Sequence, residues 1–92
     1  MRVDFDPAKN ERNVRERGLS FELAADFDFE TALVVADERR EYGETRFVAL
    51  GYLAGRLHVL CFVEATDGIR VISFRKANAR EVARHAKLKT PD

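Results

Sequence analysis

The stretch from Tyr42 to Lys76, YGETRFVALGYLAGRLHVLCFVEATDGIRVISFRK, leaves the chain little freedom of fold. β-Branched and aromatic residues cluster between two short turn signals, Ala54-Gly55 and Asp67-Gly68. This spacing predicts three consecutive strands, Arg46 to Leu53, Leu57 to Glu64 and Ile69 to Arg75, joined as an antiparallel meander. Asp67-Gly68 is expected to supply positive φ at a tight two-residue turn. In the middle strand Leu57, Val59, Cys61 and Val63 point one way and His58, Leu60 and Phe62 the other, so both faces are apolar near its centre. Such a strand belongs in the interior of a sheet that is covered on at least one face. Arg46, Arg56, Arg70 and Arg75 mark the ends of these strands. In antiparallel order Arg46 is expected nearer Arg70 than Arg75.

Upstream, Arg2 to Phe5 reads as a short edge strand. Asp6-Pro7 then announces a helix from Pro7 to Arg17, because Asp caps well and Pro is tolerated in the first turn. Gly18 ends it as a left-handed C-terminal cap. The helix is so polar that it either packs lightly or lines a site. Ser20 caps a second short helix, Phe21 to Phe27, with Phe21, Ala24, Ala25 and Phe27 as its buried stripe. Thr31 to Asp37 follows as a strand, and Asp37 to Glu44 as a charged connection. Asn78 and Glu81 form a capping box for a third helix to Lys87, with Ala79, Val82, Ala83 and Ala86 on one face. The tail, residues 88–92, is expected to fray. The order β-α-α-β-β-β-β-α describes a single α+β domain over residues 1–92, an antiparallel sheet of four or five strands packed chiefly on one face by helices.

Several classes of function are unattractive on this composition. No apolar run approaches the ~20 residues of a membrane span, and the N-terminus lacks the apolar region of a signal peptide, so a soluble cytoplasmic protein is expected. The lone Cys61 offers no internal disulfide and suits a reducing compartment. His58 and His85 are the only histidines, His58 expected as a half-exposed strand residue, and no acidic cluster has the spacing of a metal loop. Neither a glycine-rich phosphate loop nor a nucleophile elbow is present, so neither metal nor cofactor is expected. The net charge is zero but uneven: residues 19–45 hold eight acidic and two basic side chains, residues 69–92 two acidic and seven basic. What remains is a set of arginines, a few carboxylates and Tyr42. Such a set suffices to cleave RNA, whose 2′-OH is already a nucleophile, if one group accepts its proton and cations stabilise the phosphorane. An arginine-rimmed sheet serves equally well as a partner-binding surface.

Three groups of residues bear on that choice: Phe5-Asp6-Pro7-Ala8-Lys9 with Asn13 and Glu16 to Glu22; Asp37 to Arg46, DERREYGETR; and Arg70 to Ala77, RVISFRKA, followed by Arg80-Glu81. In order and spacing they resemble the BrnT toxins, small ribonucleases of type II toxin–antitoxin systems with a RelE-like fold. The resemblance implies an endoribonuclease that cuts mRNA by 2′-OH attack without metal. Arg17 stands where the family usually has His, Glu16 where it has Lys, and His85 where an aromatic is common. Arginine stays protonated at neutral pH, so Arg17 is expected to clamp phosphate and not to carry a proton. Glu44 is then the expected base, Arg46 and Arg75 phosphate clamps with Arg17 as a third cation, and Tyr42, Arg70, Lys76 and Arg39 further substrate contacts. The family implies a BrnA-like ribbon-helix-helix antitoxin in a complex of two toxins and two antitoxins, with operator DNA bound only through the antitoxin. Leu53, Leu57 and Leu88 are candidates for its docking site. The alternative is a catalytically inactive toxin-like module that acts with the antitoxin as an autorepressor.

Overall fold

β4 (Arg56–Ala65) is the centre of a five-stranded sheet in the computed structural model, which describes residues 1–38 and 43–89. In chain order the elements are β1 (Arg2–Phe5), α1 (Pro7–Arg17), a 3-10 helix (Phe21–Asp26), β2 (Leu33–Asp37), β3 (Arg46–Leu53), β4, β5 (Gly68–Lys76) and α2 (Ala79–Lys89). The spatial order of strands is β1-β5-β4-β3-β2. β2 to β5 pair antiparallel, as expected, but β1 lies parallel to β5, so the sheet is mixed. Gly68 is the reason β1 finds this partner. A Cβ at Gly68 would lie 1.9 Å from the Arg2 carbonyl oxygen, so only glycine lets the N-terminal strand close against the edge.

Gly68 therefore does a different job from the one its Asp-Gly context suggested. It is the first residue of β5, opposite Ala65, and does not have positive φ. The left-handed hairpin turn is Ala54-Gly55, with φ of 49° and 76°, between the paired residues Leu53 and Arg56. Two successive positive φ values match the right-handed twist of the flanking strands.

The alternation in the sheet divides its side chains between two faces. Ala49, Leu53, Leu60, Phe62, Ile69, Val71 and Phe74 face the main core, where Leu19, Phe21, Ala24 and Phe27 close over them. The helix carrying Phe21 and Ala24, with Phe27 as its C-cap, is 3-10, with three residues per turn, so these three fall in one line and Ala25 is exposed. His58 is on this face and buried, not half-exposed; its Nδ1 donates to the Arg56 carbonyl at 2.7 Å and its ring lies against Phe74.

α2 covers the other face, so the helices are split between the two sides of the sheet. A smaller apolar cluster there comprises Leu57, Val59 and Ala77, with Val48 and Leu50 against it. The helix runs to Lys89, whose Nζ donates to the Thr31 carbonyl, so residues 88 and 89 belong to it. It buries His85, edge-on to Tyr52, and directs Glu81 to Arg75, while Val82 and the alanines remain exposed. The sheet offers a guanidinium and a phenol ring where the alanine stripe would sit, and these polar and aromatic contacts set the helix's rotation. Leu53 and Leu57 are buried; of the three leucines considered for docking, Leu88 alone is exposed.

β1 is too short to cover β5, pairing only with Gly68 to Val71. Beyond it, the Asn13 amide of α1 donates to the carbonyls of Phe74 (3.0 Å) and Leu19 (2.9 Å). Asn10 Oδ1 accepts from the Phe21 backbone N–H at 2.7 Å, tying α1 to the 3-10 helix as well. Asn13→Ala leaves two buried carbonyls without that donor and is expected to lower stability by about 2–4 kcal/mol. Urea unfolding monitored by circular dichroism should show a lower midpoint at an unchanged denaturant slope.

Candidate active site

On the face that α2 only partly covers, β2, β3, β4 and β5 floor a groove of about 610 Å³ with Val48, Val59 and Cys61, and Arg46, Arg75 and Glu81 also line it. The strand register explains this grouping. Val35, Val48, Cys61 and Ser73 stand in one cross-strand row, and Leu33, Leu50, Val59 and Arg75 in the next. Arg46, opposite Asp37, ends the groove on the β3 side. The two expected phosphate clamps, Arg46 and Arg75, thus line one groove on one sheet face.

Each of these arginines meets a carboxylate. Glu44, just before β3, receives Arg70 Nη2 at 2.6 Å and lies 3.5 Å from Arg46 Nε. Arg46 and Arg70, at the starts of β3 and β5 on either side of β4, therefore share Glu44. Arg75 binds Glu81 with both ends of its fork, Nη1 to Oε1 at 2.8 Å and Nη2 to Oε2 at 2.9 Å. Glu81 Oε1 also accepts from the Asn78 N–H, and Asn78 Oδ1 from the Glu81 N–H, which completes the expected capping box of α2.

A second concavity of about 490 Å³ lies between α1 and the uncovered edge of β5, lined by Lys9, Arg12, Asn13, Glu16 and Arg17. Arg17 is here, donating to Asn13 Oδ1 at 3.3 Å, and does not line the first groove. Ile72 and Ser73 border both concavities. At this point the β4–β5 register shifts, with Cys61 opposite Ser73 and Phe62 opposite Val71, so Ile72 is an extra residue. Such a bulge bends the strand and re-aims its side chains, a device common beside active sites.

Of the remaining expected contacts, Arg70 is at the rim through Glu44. Lys76 pairs with His58 and is on the opposite face from Arg75, so it does not join the groove. Tyr42 and Arg39 lie outside the described residues. Lys9, Arg12, Ser73 and Glu81 join the concavities without any sequence expectation for them as site residues. The signal for the first two was present: positions 9, 12, 13, 16 and 17 fall on one helical face. Among the described residues no group of three or more His, Cys, Asp or Glu side chains is placed to hold a metal ion. Among the described residues no helix is long and apolar enough to cross a membrane.

A family model described as "Ribonuclease toxin, BrnT, of type II toxin-antitoxin system" matches residues 5–81. No curated protein matches the chain significantly. The matched span contains Glu44, Arg46, Arg75, Glu81 and the cationic face of α1.

The Arg75–Glu81 pair is strongly perturbed. The two hydrogen bonds from Arg75 hold the Glu81 carboxyl down to about 2, from an ordinary 4.5, with the Asn78 N–H adding to the effect. The same bonds raise the Arg75 guanidinium. A carboxyl with a lowered folded-state pKa contributes stability that is present above its unfolded pKa and lost as pH falls through the folded value. The wild-type protein is therefore expected to lose stability between about pH 4.5 and pH 2 in excess of Glu81→Gln. Urea midpoints for the two proteins, measured at intervals over this range, should converge as the pH falls.

Proposed function

The chain belongs to the BrnT family of type II ribonuclease toxins, whose systems pair a toxin with a protein antitoxin, and from this we propose a specific site and reaction. The protein is an endoribonuclease that cleaves mRNA through attack of the ribose 2′-OH on the adjacent phosphate. Glu44 accepts the hydroxyl proton, the new O–P bond closes a 2′,3′-cyclic phosphate, the P–O5′ bond breaks, and the 5′-oxygen takes a proton from water and departs as an alcohol. Arg46 and Arg75 hold the phosphate oxygens and stabilise the doubly charged phosphorane, for which the planar guanidinium fork is well shaped. The nucleophile comes from the RNA, so no metal is required to generate one. Arg70 orients Glu44 through their 2.6 Å contact.

The observation that carries this reading is the joining of two concavities across the bulge at Ile72–Ser73. One is lined by Arg46 and Arg75, with Glu44 at its rim beside Arg46. The other, with Lys9, Arg12 and Arg17, suits the neighbouring phosphates of the same strand, and gives Arg17 a role as a backbone clamp. Tyr42 and Arg39 are proposed as further substrate contacts. The partner is proposed to be a BrnA-like ribbon-helix-helix antitoxin in a two-to-two complex that binds operator DNA through the antitoxin. The cytoplasm, where mRNA is found, is the proposed location.

Expressed alone the protein should arrest growth, and the purified chain should cut RNA in the presence of EDTA, leaving 2′,3′-cyclic phosphate ends. Arg75→Ala should lower the cleavage rate about 100-fold, the loss typical of one transition-state donor. Folded Arg75→Ala and Glu44→Ala proteins that arrest growth as well as wild type would overturn the site. Harmless overexpression of the wild type with retained antitoxin binding would instead identify an autorepressor module without chemistry.

A further inference from the structure

We infer that Glu81 is a positioning residue for Arg75, occupying one edge of its guanidinium so that the other is held ready for a substrate phosphate. This inference rests on the ribonuclease reading for its substrate, but its geometric part stands on Arg75 alone. A guanidinium has five N–H donors in a fixed plane. Nη1 and Nη2 each give one to Glu81, and Nη1 gives its second to the Lys76 carbonyl at 3.3 Å. The two left over are Nε–H and the second Nη2–H. They lie side by side on one edge of the plane, parallel to each other, and form the fork that binds two oxygens of a phosphate. Among the described residues nothing accepts from that edge. Arg75 is half-buried and lines the groove, so this edge is available to a ligand there.

Competition is the opposite role for Glu81, with the carboxylate excluding phosphate until it is displaced. The geometry favours positioning, because a carboxylate end-on to the fork leaves the side edge open and fixes the plane's rotation. Glu81 is itself fixed: its Oε1 accepts from the Asn78 N–H at 2.9 Å, and its backbone is in the first turn of α2. The Asn78 backbone N–H, which substitution at 78 leaves in place, thus holds the carboxylate that holds the arginine.

Glu81→Gln replaces one accepting oxygen by an NH₂ group that opposes the arginine's own donors, so the guanidinium plane should turn. Cleavage kcat is expected to fall about 10-fold, as for a modest misplacement of a catalytic group. In an Arg75→Ala background the same change should have almost no further effect, because it acts through Arg75. Asn78→Ala weakens the same capping box without touching Arg75 and should change kcat by less than about two-fold. An equal loss from Glu81→Gln in both backgrounds, or from Asn78→Ala alone, would show a merely structural role. Tighter RNA binding by Glu81→Gln would show competition, and either result overturns the inference.

A second measurement does not depend on cleavage. In the wild-type protein, inorganic phosphate should move the Arg75 Nε–H resonance in a saturable titration, with the Glu81 carboxyl carbon unmoved. Glu81→Gln should weaken that response at least several-fold. If phosphate moves the Glu81 carboxyl instead, or acts equally on both proteins, the positioning role is wrong. If the wild type cuts no RNA but the phosphate response is as expected, the ribonuclease reading fails and the role of Glu81 stands.

Discussion

The buried amide of Asn13 joins parts of the protein that otherwise have little reason to meet. Backbone carbonyls in an interior must be paired, and β5 has one, at the fully buried Phe74, beyond the reach of the short β1. Asn13 satisfies it and the Leu19 carbonyl together. A polar helix is thereby drawn against a sheet edge, although it has almost no apolar side chain with which to pack there. The same rotation that turns Asn13 inward brings Lys9, Arg12 and Arg17, at helical spacing from it, to the bulge of β5. In this fold the cationic side of the site is a consequence of satisfying a strand edge.

The order of elements was legible because each has a local signature that tertiary packing did not have to override. Asp6-Pro7 and Gly18 cap α1 as their chemistry suggests, with Asp6 Oδ1 accepting from the Ala8 N–H and Gly18 at φ 65°. Partner choice was much less legible. The alternation in Arg2 to Phe5 says strand but not beside which strand or in what direction. Both came from Gly68, whose missing side chain matters through a contact 66 residues away in sequence. Asp67-Gly68 misled for the same reason, since a glycine serving close approach and one serving positive φ look alike in sequence. The face of α2 was misread because its alanines score as apolar, whereas the sheet beneath presents Arg75 and Tyr52.

The candidate site shows the same division. Glu44 and Arg46 stand two residues apart in sequence, and the fold brings both to Arg70. That Arg46 and Arg75 line one groove depends on the one-residue shift at Ile72, which sets the β5 residues of the groove's cross-strand rows. No propensity marks the bulge. Lys76, next in sequence to Arg75, is lost from the site by simple alternation, while Glu81 enters it because a capping residue can also face the sheet.

Charge distribution is where sequence and fold diverge most, and it bears on how RNA would approach. Along the chain the acidic stretch before β3 and the basic stretch from β5 onward look like opposite poles. In the fold they meet: Asp37 and Glu38 line one groove with Arg46 and Arg75, and Glu44 ties Arg46 to Arg70 at its rim. Paired charges produce a weak field beyond about 10 Å in salt, so the groove itself does little to attract a polyanion from a distance. The concavity at α1 differs, with Lys9, Arg12 and Arg17 set against Glu16. On the proposed ribonuclease reading, long-range attraction would belong to the helix and short-range recognition to the groove, where arginines already oriented by carboxylates lose little entropy on meeting a phosphate. Replacing cations on α1 should slow association and flatten its salt dependence, whereas changes at Arg75 should act after the strand has arrived.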